Sequence, residues 1–103
     1  QKADRLLPKH PRIYHLLGWA IFMKGDILAG RTFMEIALKA MPDEIQLFSD
    51  LAVLEMKAGN FDQAKEYIIR GKKIAPADAV IAEVEQVVNK MRFLSEQIEK
   101  KIN

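Results

Sequence analysis

The sequence contains no cysteine, which excludes disulfide bonds, thiolate metal sites and cysteine nucleophiles for this chain. It also lacks a strong charge of either sign, because 16 Lys and Arg residues balance 14 Asp and Glu residues to a formal net charge of +2. Such a balance does not call for a nucleic-acid partner. The longest uncharged run, residues 13–23, is far shorter than the roughly 20 residues of a membrane-spanning helix, so no membrane span is expected.

Glycine and proline are also scarce, and their spacing is regular. An interval of 34 residues separates Pro8 from Pro42 and Pro42 from Pro76, and the same interval separates Gly25 from Gly59. Apolar residues keep this interval as well, in the pairs Tyr14 and Phe48, Leu17 and Leu51, Ile27 and Phe61, and Met34 and Ile68. The chain is therefore expected to contain one structural unit that repeats at this interval, which we call the repeat period.

Within each unit the apolar residues recur at helical spacing, and glycine marks the turns. The pattern predicts helices at about residues 12–24, 28–41, 44–57, 61–75 and 78–102. Gly25 and Gly59 are assigned to turns, whereas Gly18, Gly30 and Gly71 are expected where paired helices approach most closely. Asp43, together with Gln46, and Asp78 are the predicted N-caps of the third and fifth helices.

The same positions carry a resemblance to the tetratricopeptide repeat, a helix–turn–helix unit with the same period. The matching residues are Tyr14, Leu17, Gly18, Gly30, Ala37 and Pro42 in the first unit, and Phe48, Leu51, Ala52, Ala64, Gly71 and Pro76 in the second. The resemblance implies an all-α fold, a right-handed α-solenoid of antiparallel helix pairs. The pattern departs from the family at Ile21, Met34, Glu55 and Ile68, where aromatic residues are usual, and Glu55 is the most discordant.

This register predicts a single domain with four parts. Residues 1–10 would be the end of a partial repeat, because Ala3, Leu6, Leu7 and Pro8 fit the close of a second helix, and residues 11–44 and 45–78 would be the two full repeats. Residues 79–103 would form a capping helix with a stripe of apolar residues at alternating intervals of four and three, which Ile81 and Val88 widen: Val80, Val84, Val87, Met91, Leu94 and Ile98. The same stripe is also typical of a coiled coil, so pairing with another chain remains an alternative.

No catalytic, cofactor or metal site is predicted. Residues 25–32 read G-x-x-x-x-G-R-T, close to a phosphate-binding P-loop, but Arg31 stands where lysine is required and the repeat already accounts for both glycines. His10 and His15 are the only histidines, and they lack metal-ligand spacing. No hydroxyl residue lies in a nucleophile motif, so the chain is not expected to be an enzyme.

In tetratricopeptide proteins the first helix of each repeat lines the concave side and contacts ligands. Carried over by register, the resemblance implies these partner-binding residues: Arg12, His15, Trp19, Phe22, Met23, Gln46, Ser49, Val53, Met56 and Lys57. Members that clamp a terminal carboxylate have Lys and Asn where this chain has His15 and Trp19. The apolar members of the set instead favour an apolar or amphipathic segment of a protein partner.

The predicted function is therefore a non-enzymatic protein–protein interaction module. A narrower form of the same function rests on residues 7–11, 17–19 and 24–26, which look like segments of small tetratricopeptide chaperones of bacterial type III secretion. That resemblance would imply a cytoplasmic location and a small client. The alternative function is structural self-association, in which the C-terminal helix or the groove pairs with a second copy.

Overall fold

All regular structure in the described part of the chain, residues 9–102 of a computed structural model, is helical. The five helices are α1 (Pro11–Met23), α2 (Ile27–Ala40), α3 (Ile45–Lys57), α4 (Phe61–Ile74) and α5 (Ala79–Ile102). The all-α prediction is confirmed, and each predicted helix bound lies within one residue of the observed one. Most of the predicted partial repeat, residues 1–8, lies outside the described residues.

Helices α1 and α2 pack as an antiparallel pair around two glycines. A Cβ atom on Gly18 would lie 2.8 Å from Cγ of Met34 and 2.9 Å from the carbonyl oxygen of Gly30. A Cβ atom on Gly30 would lie 2.8 Å from Cβ of Phe22. Neither position has room for a side chain, so the predicted close approach at Gly18 and Gly30 is confirmed.

Helices α3 and α4 form the second antiparallel pair and contribute most of the buried core. The aromatic rings of Phe48 and Tyr67 lie 6.3 Å apart between these helices. A Cβ atom on Gly71 would lie 3.1 Å from Ile45 and 3.3 Å from Ile81, so Gly71 also marks a close approach. The largest fully buried side chains are Met34, Leu47, Phe48, Leu51, Leu54, Ile68, Ile81 and Val88.

The turn between the helices of each pair depends on a glycine with positive φ. Gly25 has a φ of 106° and Gly59 a φ of 83°, a region that side-chain-bearing residues rarely adopt. Asp78 caps α5, since its carboxylate accepts a hydrogen bond from the backbone N–H of Ile81 at 2.9 Å. The predicted cap at Asp43 is wrong: α3 begins one residue later, with Glu44 at the N-cap and no side-chain cap bond, because the side chain of Glu44 accepts from Arg12 instead.

Glu55, the residue that fits the repeat pattern least well, joins the two helix pairs. Its side chain is almost fully buried, and its carboxylate accepts hydrogen bonds from Nε and Nη2 of Arg31 on α2, at 2.7 and 2.8 Å. The side-chain amide of Asn60 donates to the same carboxylate at 2.9 Å. These partners explain how a carboxylate occupies a position where an aromatic residue is usual.

Helix α5 lies against both α3 and α4. Ile81 and Val88 are buried in this contact, and the side chains of Lys72 and Arg92 form ion pairs across or near it, with Glu85 and Asp62 respectively. Asp62 is the second residue of α4, and α5 continues beyond Arg92 to Ile102.

The side of α5 that carries Glu85 and Gln86 differs from the equivalent side of α3. Leu51 and Ala52 of α3 are fully buried, whereas Glu85 and Gln86 occupy the equivalent positions of α5, one repeat period later. Gln86 is exposed and Glu85 bonds to Lys72. At these two positions α5 is therefore polar, whereas α3 is apolar.

The tight contact at Gly18 gives a test of the packing. Replacing Gly18 by Ala should lower the free energy of unfolding by about 1–3 kcal/mol, because the new methyl group meets backbone as well as side chain. Helix propensity acts in the opposite direction and favours Ala by about 1 kcal/mol. Urea denaturation followed by circular dichroism measures the difference.

The matched control is Ala20→Gly on the exposed side of the same helix. It should destabilise by about 1 kcal/mol through propensity alone. A Gly18→Ala variant that is more stable than the wild type would contradict the close approach of α1 and α2.

Candidate functional site

Helix α3 contacts both α1 and α5. Arg12 of α1 donates hydrogen bonds to Gln46 of α3 at 3.5 Å and to Glu44 at 3.1 Å. A shallow surface depression of about 270 Å³ between α3 and α5 is lined by Gln46 and by its equivalent in the next unit, Val80. We call the surface formed by these three helices the α1–α3–α5 face.

Three of the residues predicted to contact a partner are buried within the chain: His15, Phe22 and Ser49. The imidazole of His15 hydrogen-bonds to Asp50, the ring of Phe22 packs on Trp19 with centroids 5.4 Å apart, and the hydroxyl of Ser49 donates to the carbonyl of Gln46. These side chains hold the helices in place, so the surface open to a partner is smaller than the sequence predicted.

The remaining predicted residues do reach the surface. Trp19, Val53 and Met56 are half-buried and pack against the core with one side. Arg12, Gln46, Met23 and Lys57 are exposed, Met23 to 65%. Apolar and cationic side chains of both α1 and α3 are therefore accessible to solvent.

Helix α5 adds residues to this face that the sequence prediction did not assign to it. Val80, Val87 and Met91 are exposed and follow Gln46, Val53 and Lys57 by one repeat period. They belong to the predicted apolar stripe of α5, of which Ile81, Val84 and Val88 pack on the core. Extending the repeat register into α5 would have found them.

A chain of hydrogen bonds orders one half of the face. Nε2 of His15 lies 2.7 Å from Oδ2 of Asp50, and Nη1 of Arg12 lies 3.3 Å from Nδ1 of the same imidazole. Because the guanidinium only donates, Nδ1 accepts and Nε2 carries the proton given to Asp50. Burial raises the pKa of Asp50, and the hydrogen bond from His15 offsets part of this effect.

A second surface feature is a polar cleft of about 680 Å³ between α2 and the start of α4. Arg31, Glu35, Glu55 and Tyr67 line it, and burial together with Glu35 raises the pKa of the Tyr67 phenol. Both oxygens of Glu55 already accept hydrogen bonds from Arg31 and Asn60. The carboxylate at the centre of this cleft is thus fully bonded within the chain.

The stretch resembling a P-loop forms the turn between α1 and α2 and the start of α2, and its Arg31 is bonded to Glu55. Among residues 9–102, no three His, Asp or Glu side chains are grouped so that they could hold a metal ion. Within the same part of the chain, no helix combines the length and apolar character needed to cross a membrane.

Comparisons with known proteins do not identify a family. No family model matches the sequence, and no solved structure matches it. A segment of 45 residues is 40% identical to ribonuclease P protein component 4 of Methanococcus maripaludis. The match covers 44% of this chain and 41% of that protein, so the chain spans less than half the length of this relative.

The buried ion pair between the helix pairs gives a second test. Replacing Glu55 by Gln removes the counter-charge of Arg31, and should lower the free energy of unfolding at neutral pH by about 2–4 kcal/mol. Burial alone would raise the pKa of Glu55, but hydrogen bonds from Arg31 and Asn60 outweigh it and hold the pKa below its ordinary value. The contribution of the pair is therefore present above the ordinary Glu pKa and is lost as pH falls through the lowered value.

Urea denaturation at several pH values should show the wild type and Glu55→Gln converging in stability under acid conditions. The matched control is Glu44→Gln, which breaks the exposed pair with Arg12 and should cost less than about 1 kcal/mol. Equal losses in the two variants would contradict a special role for the buried pair.

Proposed function

We propose that this chain is a non-enzymatic protein-binding module of the tetratricopeptide-repeat type. In this proposal the two helix pairs and α5 form a short right-handed solenoid, and the α1–α3–α5 face is its concave side. The repeat register, the antiparallel pairing and the lateral contact of Arg12 with Gln46 support this arrangement. The ligand would be an apolar or amphipathic segment of another protein.

One observation carries the proposal: an apolar row crosses all three helices of the face. Trp19, Val53 and Val87 follow one another at the repeat period, and all three are partly or largely open to solvent. A polar residue would be equally compatible with the fold at Val87, which is 44% exposed, because Ile81 and Val88 hold α5 on the core. Adjacent half-exposed apolar side chains of this kind are typical of surfaces that bury a partner.

The surroundings of the row favour an adaptable contact. Met23, Met56 and Met91 lie near it on α1, α3 and α5, and the unbranched methionine side chain adjusts to differently shaped apolar partners. Arg12 and Lys57 lie towards opposite ends of the helices, so they can select the orientation of a bound segment. A helix laid across the row would present apolar residues three and four apart.

The test begins with selection of peptides from a random display library on the immobilised wild-type protein. The selected peptides should carry apolar residues at helical spacing. Because Trp19 is the only tryptophan, its fluorescence should change on binding and report the affinity. Replacing Val87 by Asp should weaken binding about tenfold or more, since the carboxylate would be buried against an apolar peptide.

The matched control is Ile69→Asp on α4, where a β-branched residue is 46% exposed away from the row. It should bind the peptides as the wild type does. A Trp19→Ala variant, whose binding is followed with a fluorescently labelled peptide because it has no tryptophan, should also bind weakly while keeping its helical circular dichroism. Unchanged binding in both Val87→Asp and Trp19→Ala would contradict the proposed site.

A second function, structural self-association, is favoured by a separate observation on the end of α5. Phe93, Leu94, Ile98 and Ile102 are all exposed, and they lie beyond the last ion pair with α4, at Arg92. Leu94 and Ile98 continue the intervals of three and four that begin at Val87. A second α5 helix paired here would cover this apolar surface.

Sedimentation over a range of protein concentrations distinguishes this second function. If it operates, the wild type should form dimers and Ile98→Asp should remain monomeric, because a charge at the centre of the helix pair is costly to bury. Ile69→Asp again serves as the control and should dimerise normally. A wild-type chain that stays monomeric throughout would contradict self-association and leave the groove proposal in place.

A further inference from the structure

The two halves of the α1–α3–α5 face differ in charge. Near the N-terminal ends of α3 and α5 the ionisable groups are mostly acidic: Glu44, Asp50, Asp78 and Glu83. Towards the C-terminal ends of α1 and α3, and at the corresponding height on α5, the exposed groups are Lys24, Lys57 and Lys90. We call these three residues the lysine edge.

Three of the four acidic groups accept hydrogen bonds within the chain. Glu44 accepts one from Arg12, Asp50 accepts one from His15, and the carboxylate of Asp78 caps α5. Charges that already have a partner of opposite charge close by contribute little to the attraction of a ligand. This applies to Glu44, whose partner is the cationic Arg12.

The lysine edge has no such compensation. In the part of the chain that the structure describes, the ion pairs of the lysine and arginine side chains involve Arg12, Arg31, Lys72 and Arg92, and none involves Lys24, Lys57 or Lys90. Lys57 and Lys90 lie on α3 and α5, and Lys24 is the C-cap residue of α1. Uncompensated like charges on one side of a surface attract the opposite charge.

We propose that the partner of this face is an amphipathic segment with acidic residues along one flank, which lie against Lys24, Lys57 and Lys90 while its apolar side covers Trp19, Val53 and Val87. This inference rests on the proposed function and adds the charge and the orientation of the ligand. The ligand crosses the three helices, because both the apolar row and the lysine edge cross them. Its acidic flank points towards the C-terminal ends of α1 and α3.

The test uses two synthetic peptides of about 15–20 residues, a length at which isolated helices begin to form. Both keep the apolar side of a peptide selected on the wild type, and their flanking positions are all Glu in one and all Lys in the other. The wild type should bind the Glu peptide about tenfold more tightly at low salt. The preference should shrink as salt is added, because these charges are exposed.

The deciding variant carries Lys57→Glu and Lys90→Glu and should reverse the preference, binding the Lys peptide more tightly. Its matched control carries Lys39→Glu and Lys73→Glu, which change the net charge equally and alter exposed lysines in the last turns of α2 and α4. The control should keep the wild-type preference for the Glu peptide. Circular dichroism confirms that both variants retain the helical content of the wild type.

The outcomes separate this inference from the proposed function. If the wild type binds both peptides equally well and independently of salt, the lysine edge plays no part, although the apolar row still binds. If the Lys39/Lys73 control reverses the preference as fully as the Lys57/Lys90 variant, the effect reflects net charge and the inference is wrong. If neither peptide binds, the proposed function itself fails.

Discussion

The architecture depends on how closely paired helices approach one another. At Gly18 and Gly30 the backbones of α1 and α2 come so near that a single added carbon would meet a carbonyl oxygen at 2.9 Å. Fully buried alanines, Ala52 and Ala64, occupy the equivalent positions of α3 and α4. Small residues at these points set the distance and angle of each pair, and every larger side chain packs within that geometry.

Two kinds of interaction join the α1–α2 pair to the α3–α4 pair, one apolar and one ionic. Buried leucines such as Leu47 and Leu51 supply non-directional apolar contact, which would tolerate several arrangements of the pairs. The bidentate contact of Arg31 with Glu55 is directional and admits few arrangements. Glu55 departs from the repeat pattern. The contact that it makes between α2 and the end of α3 is therefore polar and directional, unlike the apolar contacts around it.

The exposed surfaces follow from the same register. In the proposed arrangement equivalent residues of α1, α3 and α5 are neighbours, so a property that recurs at the repeat period becomes a row across the face. Trp19, Val53 and Val87 would make such a row of apolar side chains, and exposed lysines of α3 and α5 lie close to it in the sequence. The proposed binding of an amphipathic, acidic-flanked segment would use both features. The opposite character is seen at Gln86 of α5, which is exposed and polar.

Much of the fold could be predicted from the sequence, because helices and turns are determined by local spacing. The repeat period, the turn glycines and the apolar periodicity located all five helices and the close approaches at Gly18, Gly30 and Gly71. The register also predicted a candidate binding face with apolar members, and its role in binding stays a prediction. The caps were predicted less well, since Glu44 rather than Asp43 is the N-cap of α3.

Only the tertiary structure decided which of those residues are accessible. Register places His15 and Ser49 on the face, but burial depends on neighbours distant in sequence, such as Asp50, which binds the imidazole. The tertiary structure also decided which side of α5 is buried. Ile81 and Val88 lie in the core, whereas Val87 and Met91 of the same helix are exposed to solvent. Local sequence specifies that such a helix is amphipathic, whereas the direction in which it faces is set by the shape of the surface on which it packs.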